Sequence, residues 1–172
     1  MKQIILASTS PRRHDLLRQI GLKFKIVPSK YKEDMTLKLP PHKLAMFLAR
    51  GKAQEVAERR KSGIVIGVDT FVVLNKEVIG KPHNKTNAKK ILEKISNKTL
   101  KVYSGVAIID AKTKKEIIDY EISKVKIRKI SPLEIRKYIA TEEPLDKAGA
   151  FGMQGLGAIF VAKIDGCYSN VV

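Results

Sequence analysis

Tryptophan is absent from this chain, aromatic residues make up only 6% of it, and there is a single cysteine, Cys167. So few aromatic faces leave little for unpaired bases to stack on, which argues against a single-stranded nucleic-acid binder. One cysteine cannot form an internal disulfide, and near the chain end it reads as a small hydrophobe rather than a nucleophile. Acidic residues are scarce as well: 17 Asp and Glu stand against 34 Lys and Arg, a formal charge of +17. Such an imbalance favours an anionic partner, whether nucleic acid, an acidic surface or a phosphorylated small molecule. The lysines are spread along the whole chain without a basic block, a distribution that compositional bias also produces. No apolar run approaches the ~20 residues of a membrane span. The run beginning at Ile4 meets Ser-Pro-Arg-Arg too early for a signal peptide. A cytoplasmic protein without a membrane partner is expected. His14, His42 and His83 lack metal-ligand spacing and read as surface or helix-end residues, and no Ser-His-Asp arrangement stands out.

What is present is a globular composition, 44% hydrophobic and 30% charged, long enough for one domain or two small lobes around one core. Ile4–Ala7 reads as a short buried strand, followed by a helix with Ser10 as N-cap and Pro11 at its first position. Leu22–Val27 is a second strand, and a long helix is predicted from about Pro41 to Arg60. Ile64–Val68 is a continuous apolar run, as in a strand covered on both faces, and Phe71–Leu74 continues it. Asn75-Lys76 reads as a hairpin tip before Val78-Ile79, and Ala88–Ile95 has helical spacing. Val102–Ile109 and Glu116–Ile130 form a predicted hairpin whose second strand changes parity, suggesting a bulge near Ser123-Lys124. Ser131-Pro132-Leu133-Glu134 is a capping box opening a helix to about Ala140, and Ala158–Val161 is a last strand. The alternation gives an α/β or α+β fold with a mixed sheet.

Several positions break these structural patterns. In Ser8-Thr9-Ser10-Pro11-Arg12-Arg13 two arginines occupy the first helical turn, where they repel the helix dipole. The placement suits a bound anion, with Ser8, Ser10, Arg12 and Arg13 around phosphate oxygens; otherwise this is a solvated basic turn. Asp69 interrupts a buried run with no local partner, and a buried carboxylate is costly unless paired, metal-bound or protonated. At a strand end facing a cleft it would serve as metal ligand or general base; as a turn cap it would be purely structural. Lys52 completes the apolar row Leu44, Leu48, Val56 on the long helix, so it either snorkels outward or reaches phosphate. Lys81 lies in a rigid turn, Gly80-Lys81-Pro82. The segment 146–155 is glycine-rich without a Walker or dinucleotide pattern, and its Gln154 offers both donor and acceptor to a base edge. Glu33 and Asp34 form an acidic pair in a basic loop that could complete a metal site with Asp69.

Taken together, Leu6–Arg13, Gly67-Val68-Asp69-Thr70, Gly80-Lys81-Pro82, Tyr103–Ala107, Glu143–Phe151 and Gln154-Gly155 closely resemble the Maf family, over nearly the whole chain. The resemblance implies an α/β fold, with a mixed sheet flanked by helices and two lobes around a substrate cleft, in the Maf and ITPase-like manner. It implies a nucleoside triphosphate pyrophosphatase, a divalent metal (Mg2+ or Mn2+) and frequent homodimers. The family's proton acceptor falls on Asp69, and its base-specificity positions fall on Arg12, Thr70 and Gln154, whose identities resemble the dTTP/UTP-hydrolysing subgroup. Phosphate contacts are expected from Ser8, Ser10, Arg12, Arg13, Lys52 and Lys81, and metal contacts from Glu33 and Asp69. The acidic loop departs from the family's usual Asp-Glu, reading Lys32-Glu33, so only Glu33 carries over. Residues 1–172 are expected to form one Maf-like domain without the family's usual C-terminal helix. Two rival readings are a pyrophosphatase directed to 7-methyl-GTP or another purine, and a basic nucleic-acid-binding module.

Overall fold

The computed structural model describes residues 2–172. Among the described residues it is an α/β fold with a seven-stranded mixed sheet, in which β2 (Phe24–Ile26), β1 (Ile4–Leu6), β3 (Ile64–Leu74), β5 (Thr99–Asp110), β6 (Glu116–Ile127) and β7 (Val161–Asp165) follow one another in that order and β4 (Glu77–Ile79) pairs with β3. The chain divides into two compact units, the first running to Asp69 and including Ser104–Glu121, the second made of Thr70–Tyr103 and Ile122–Val172. Among the described residues no helix is long and apolar enough to cross a membrane.

In the first unit, β1 (Ile4–Leu6) pairs in parallel with both β2 (Phe24–Ile26) and the start of β3 (Ile64–Leu74). Helix α1 (Pro11–Gln19) begins with Ser10 as N-cap and Pro11 at its first position, as the sequence predicts, although the Ser10 side chain makes no capping bond. Helix α2 (Pro41–Glu58) supplies the core with small residues: Ala49, Ala53 and Ala57 pack with Ile5, Val65, Ala107 and Ile109. Small side chains let backbone meet backbone. A Cβ on Gly67 would lie 2.4 Å from the Ala49 carbonyl oxygen, and one on Gly105 2.2 Å from that of Ala45. Neither position accepts a larger residue unless α2 moves off the sheet.

The second unit takes the end of β3, which turns through Asn75 and Lys76, both at positive φ (49° and 72°), into β4 (Glu77–Ile79). Helix α3 (Lys85–Ile95) starts a turn earlier than its apolar spacing shows, because Asn84 caps it by accepting a bond from the Asn87 N–H. Strands β5 (Thr99–Asp110) and β6 (Glu116–Ile127) run through both units. The parity change expected in β6 is present next to Ser123: Ile118 and Ile122 are half-buried, and from there on Ser123, Val125 and Ile127 are the buried positions. Against β7 (Val161–Asp165) the pairing is regular at Lys124 and slips between Lys126 and Ile127, leaving Ala162 as the extra residue. The last strand thus lies later than the expected Ala158–Val161, since Leu156–Phe160 coil into a 3-10 helix. The capping box is realised in α4 (Pro132–Ala140), where Ser131 and Glu134 bond reciprocally. A short helix α5 (Tyr168–Val171) follows β7. The core joins Leu92 and Ile95 of α3 to Val125, Ile127, Ile135, Tyr138 and Phe160.

Candidate active site

Successive strand residues alternate faces, so Val65, Gly67 and Asp69 share one side of β3, and all three are buried. Asp69 is not at a strand end, as expected, but in the middle of an eleven-residue strand. Gly67 draws α2 close to this face, and Lys52 lies one position before Ala53, one of the residues against which Gly67 rests. The Lys52 Nζ consequently reaches Asp69 Oδ1 at 2.5 Å, with the two side chains only 12% and 7% exposed. Lys52 therefore does not snorkel outward, and the buried carboxylate has the partner its local sequence does not supply. The same ammonium lies 2.8 Å from Glu33 Oε1.

Glu33 is delivered by the loop after β2, which is tied to α2 at two further points. The Ser29 hydroxyl and Lys30 N–H donate to Glu55 Oε2 at 3.0 and 2.9 Å, while the Tyr31 ring covers Gly51 so closely that a Cβ there would lie 2.4 Å from Tyr31 Cζ. Burial pushes the Glu55 carboxyl up, but the Lys30 N–H, Arg59 and Ser29 outweigh it and hold it below its ordinary value. Sequence reasoning passes over Glu55, Tyr31 and Gly51, because none breaks a local pattern.

At the α1 end, Ser8 Oγ accepts from Arg13 Nη1 at 3.1 Å and from the Ser10 N–H at 3.2 Å. His14, which lies at the helix end as one of its two readings has it, places Nε2 3.0 Å from the Ser8 carbonyl oxygen. Burial pulls the Arg13 guanidinium below its usual value; Asp69 and Glu33 act to raise it, and Arg12 to lower it. Arg13 stays charged regardless, since a guanidinium does not deprotonate in proteins. Ser8, Arg13, Lys52, Asp69 and Glu33 are thus one electrostatic cluster within the first unit. Ser10 and Arg12 lie half-buried in the same segment. Thr70, Lys81 and Gln154 belong to the second unit, with Thr70 half-buried and Lys81 and Gln154 exposed.

The family model described as Maf-like protein matches residues 3–172. This chain belongs to the Maf family. It is 47% identical to the dTTP/UTP pyrophosphatase of Caldicellulosiruptor saccharolyticus, over 100% of this chain and 88% of that one. It is also 47% identical to the dTTP/UTP pyrophosphatase of Dictyoglomus thermophilum, over 99% of this chain and 89% of that one. Among solved structures, a HAM1 protein from Coxiella burnetii aligns with a TM-score of 0.46 at 15% identity, over 74% of this chain and 73% of that one.

The residues of this Maf protein that could hold a divalent cation are two carboxylates, Glu33 and Asp69. Among the described residues no three His, Cys, Asp or Glu side chains gather as a metal cage. Glu33 and Asp69 do converge on one point, the Lys52 ammonium, which shows that a cation is accommodated between them. One or two carboxylates, with substrate phosphates and water completing the shell, is the usual way Mg2+ is held. The donor set therefore fits such an ion.

Proposed function

We propose that this protein hydrolyses dTTP and UTP to the nucleoside monophosphate and pyrophosphate. The observation that carries the proposal is Asp69: a buried carboxylate in mid-strand, set against Lys52, Glu33 and Arg13. Two carboxylates set among two cations, one of them buried in mid-strand, place a base beside an anion site. Asp69 takes a proton from water, whose oxygen bonds the α-phosphorus as the bond to the bridging oxygen breaks. The electron pair leaves with pyrophosphate. Arg13 and Lys52 meet the charge that builds on the phosphate oxygens, and Lys81 is assigned the same role. Ser8, Ser10 and Arg12 bind and orient the phosphates at the start of α1, where helix N–H groups favour an anion. Glu33 and Asp69 would hold Mg2+ or Mn2+, which would supply charge neutralisation and polarise a phosphoryl oxygen. Thr70, Arg12 and Gln154 set the base preference: Gln154 offers one donor and one acceptor, matching the edge of uracil or thymine, which also alternates them. A homodimer and a cytoplasmic location belong to the same reading.

The test is pyrophosphate release across a panel of triphosphates in the presence of Mg2+ or Mn2+. The highest kcat/KM is expected for dTTP and UTP. Faster turnover of 7-methyl-GTP or ITP would overturn the base assignment and leave the reaction class standing. No turnover at all, with nucleic-acid binding that weakens steeply with salt, would favour the basic binding module instead.

A further inference from the structure

The segment that carries Gln154 is tied to a single carboxylate. At Glu142 the chain takes a left-handed turn (φ 62°), and Glu143 opens a short 3-10 helix, Glu143–Asp146. Glu143 Oε1 accepts the Tyr138 hydroxyl at 2.9 Å and the Gly157 N–H at 3.1 Å, and its Oε2 accepts the Leu156 N–H at 2.8 Å. The backbone on the far side of Gln154 therefore hangs on this side chain. The near side is held by the same turn, since Lys147 Nζ donates to the Glu143 carbonyl oxygen at 2.7 Å while its stem lies against Gly152.

The glycines of the segment fit around this clamp. A Cβ on Gly155 would lie 2.6 Å from both Glu143 carboxylate oxygens, one on Gly157 2.5 Å from the Tyr138 hydroxyl, and one on Gly152 2.8 Å from the Lys147 stem. Their spacing, which matches no phosphate-binding pattern, is what a chain needs to wrap a carboxylate and a lysine closely. Burial pushes the Glu143 carboxyl up, but the Gly157 and Leu156 N–H groups, Tyr138 and Lys147 outweigh it and keep it below its ordinary value. An ionised carboxylate makes the stronger hydrogen bonds, so the clamp is set at neutral pH.

We propose that Glu143 is a positioning residue for base selection: its carboxylate clamps the Gly152–Gly157 segment and so holds Gln154 where it meets the base. The proposal rests on the reading above that Gln154 contacts the base. Glu143 touches neither substrate nor reacting atoms, and acts through Gln154.

The test compares Glu143→Ala, Gln154→Ala and the double variant on UTP and GTP. Amide hydrogen exchange is followed at Leu156 and Gly157. Either single variant is expected to lower the UTP:GTP ratio of kcat/KM by at least ~10-fold, the scale set by unpaired polar groups in a recognition site. The double variant should lose little more, because both changes remove one function. Exchange at Leu156 and Gly157 should quicken in Glu143→Ala, while core amides such as Val125 stay protected. Glu143→Gln, which keeps one acceptor oxygen, should recover part of the ratio. If Glu143→Ala does not fold, Glu143→Gln and Tyr138→Phe give the same two readouts in gentler form. A retained ratio in the Glu143 variants, alongside a lost one in Gln154→Ala, overturns the proposal alone. So do equal losses on both nucleotides with exchange quickened throughout the second unit, the signature of a structural residue. A ratio unchanged in Gln154→Ala removes the base-reading role itself, and the clamp's function with it.

Discussion

Asp69 and Lys52 are mutually dependent, but not symmetrically. Lys52 has a second carboxylate, Glu33, at 2.8 Å, whereas Asp69 is 5% exposed and is bonded to Lys52 at 2.5 Å. Asp69→Asn keeps the volume and leaves the ammonium with Glu33, so the melting temperature should stay within a few degrees. Turnover should fall at least ~100-fold, the scale of a lost general base. Lys52→Met instead leaves a carboxylate buried without its ammonium, and breaking a buried pair from one side costs ~3–5 kcal/mol. For a chain of this size that lowers Tm on the order of 10 °C. The Asp69→Asn, Lys52→Met double variant removes both charges and should recover much of that loss while remaining inactive. Thermal melts and pyrophosphate release on the three variants check this. Wild-type turnover in Asp69→Asn, or a melt as low as that of Lys52→Met, would remove Asp69 from the chemistry.

Helix α2 serves several faces at once. Its alanines lie on the sheet, Lys52 points to Asp69, and Gly51 and Glu55 receive the loop that bears Glu33. Gly51→Ala isolates the last of these. Alanine favours a helix over glycine by ~0.8–1 kcal/mol, yet its Cβ cannot coexist with the Tyr31 ring at 2.4 Å. The expected outcome is a Tm within a few degrees of wild type and a kcat/KM lowered ~10-fold or more as Glu33 loosens from Lys52; undiminished activity would show that the loop needs no such seat. The helix itself was legible in the sequence, because the row Leu44, Leu48, Val56 is periodic and those residues are buried. Asp69 and Lys52 were legible as charges on buried faces, since each violates an apolar pattern. Their pairing was not, because it depends on how near Gly67 lets α2 approach β3. The role of Glu55 was hidden for a related reason, as was that of Glu143, which stood out only as part of a family-like segment. Each looks like an ordinary acidic residue until bonds such as Ser29 to Glu55, 26 residues apart, are formed. The shift of the last strand to Val161–Asp165 likewise follows from the 3-10 helix at Leu156–Phe160, whose apolar run has no strand period.

At the scale of the whole molecule, carboxylates are outnumbered 34 to 17 by Lys and Arg, so each one that holds structure matters more than usual. Several are held below their ordinary values. Glu134 is held at about 2 by Arg128, at 2.6 Å, and by the Ser131 N–H and hydroxyl at the head of α4. Asp110 is held well below the usual range by Lys2, against the opposing effect of burial, and by the N–H groups of Lys112 and Thr113. Glu143 is lowered in the second unit and Glu55 in the first. A carboxyl whose folded value is depressed contributes stability that is present above its unfolded value, near 4.5 for glutamate, and that is lost as pH falls through the folded value. The same protonations remove negative charge from a chain already at +17, so self-repulsion grows over the same interval. The melting temperature should therefore be nearly level from pH 7 to 5 and fall steeply between about 4.5 and 2. Added salt should recover part of the low-pH loss by screening. Glu134→Gln should flatten the acid limb of the profile and lower the plateau at pH 7. Melts at half-unit pH steps decide the matter. A decline beginning above pH 6 would point to histidine instead, and a level profile down to pH 2.5 would show that these carboxylates are not bound more strongly in the folded chain than in the unfolded one.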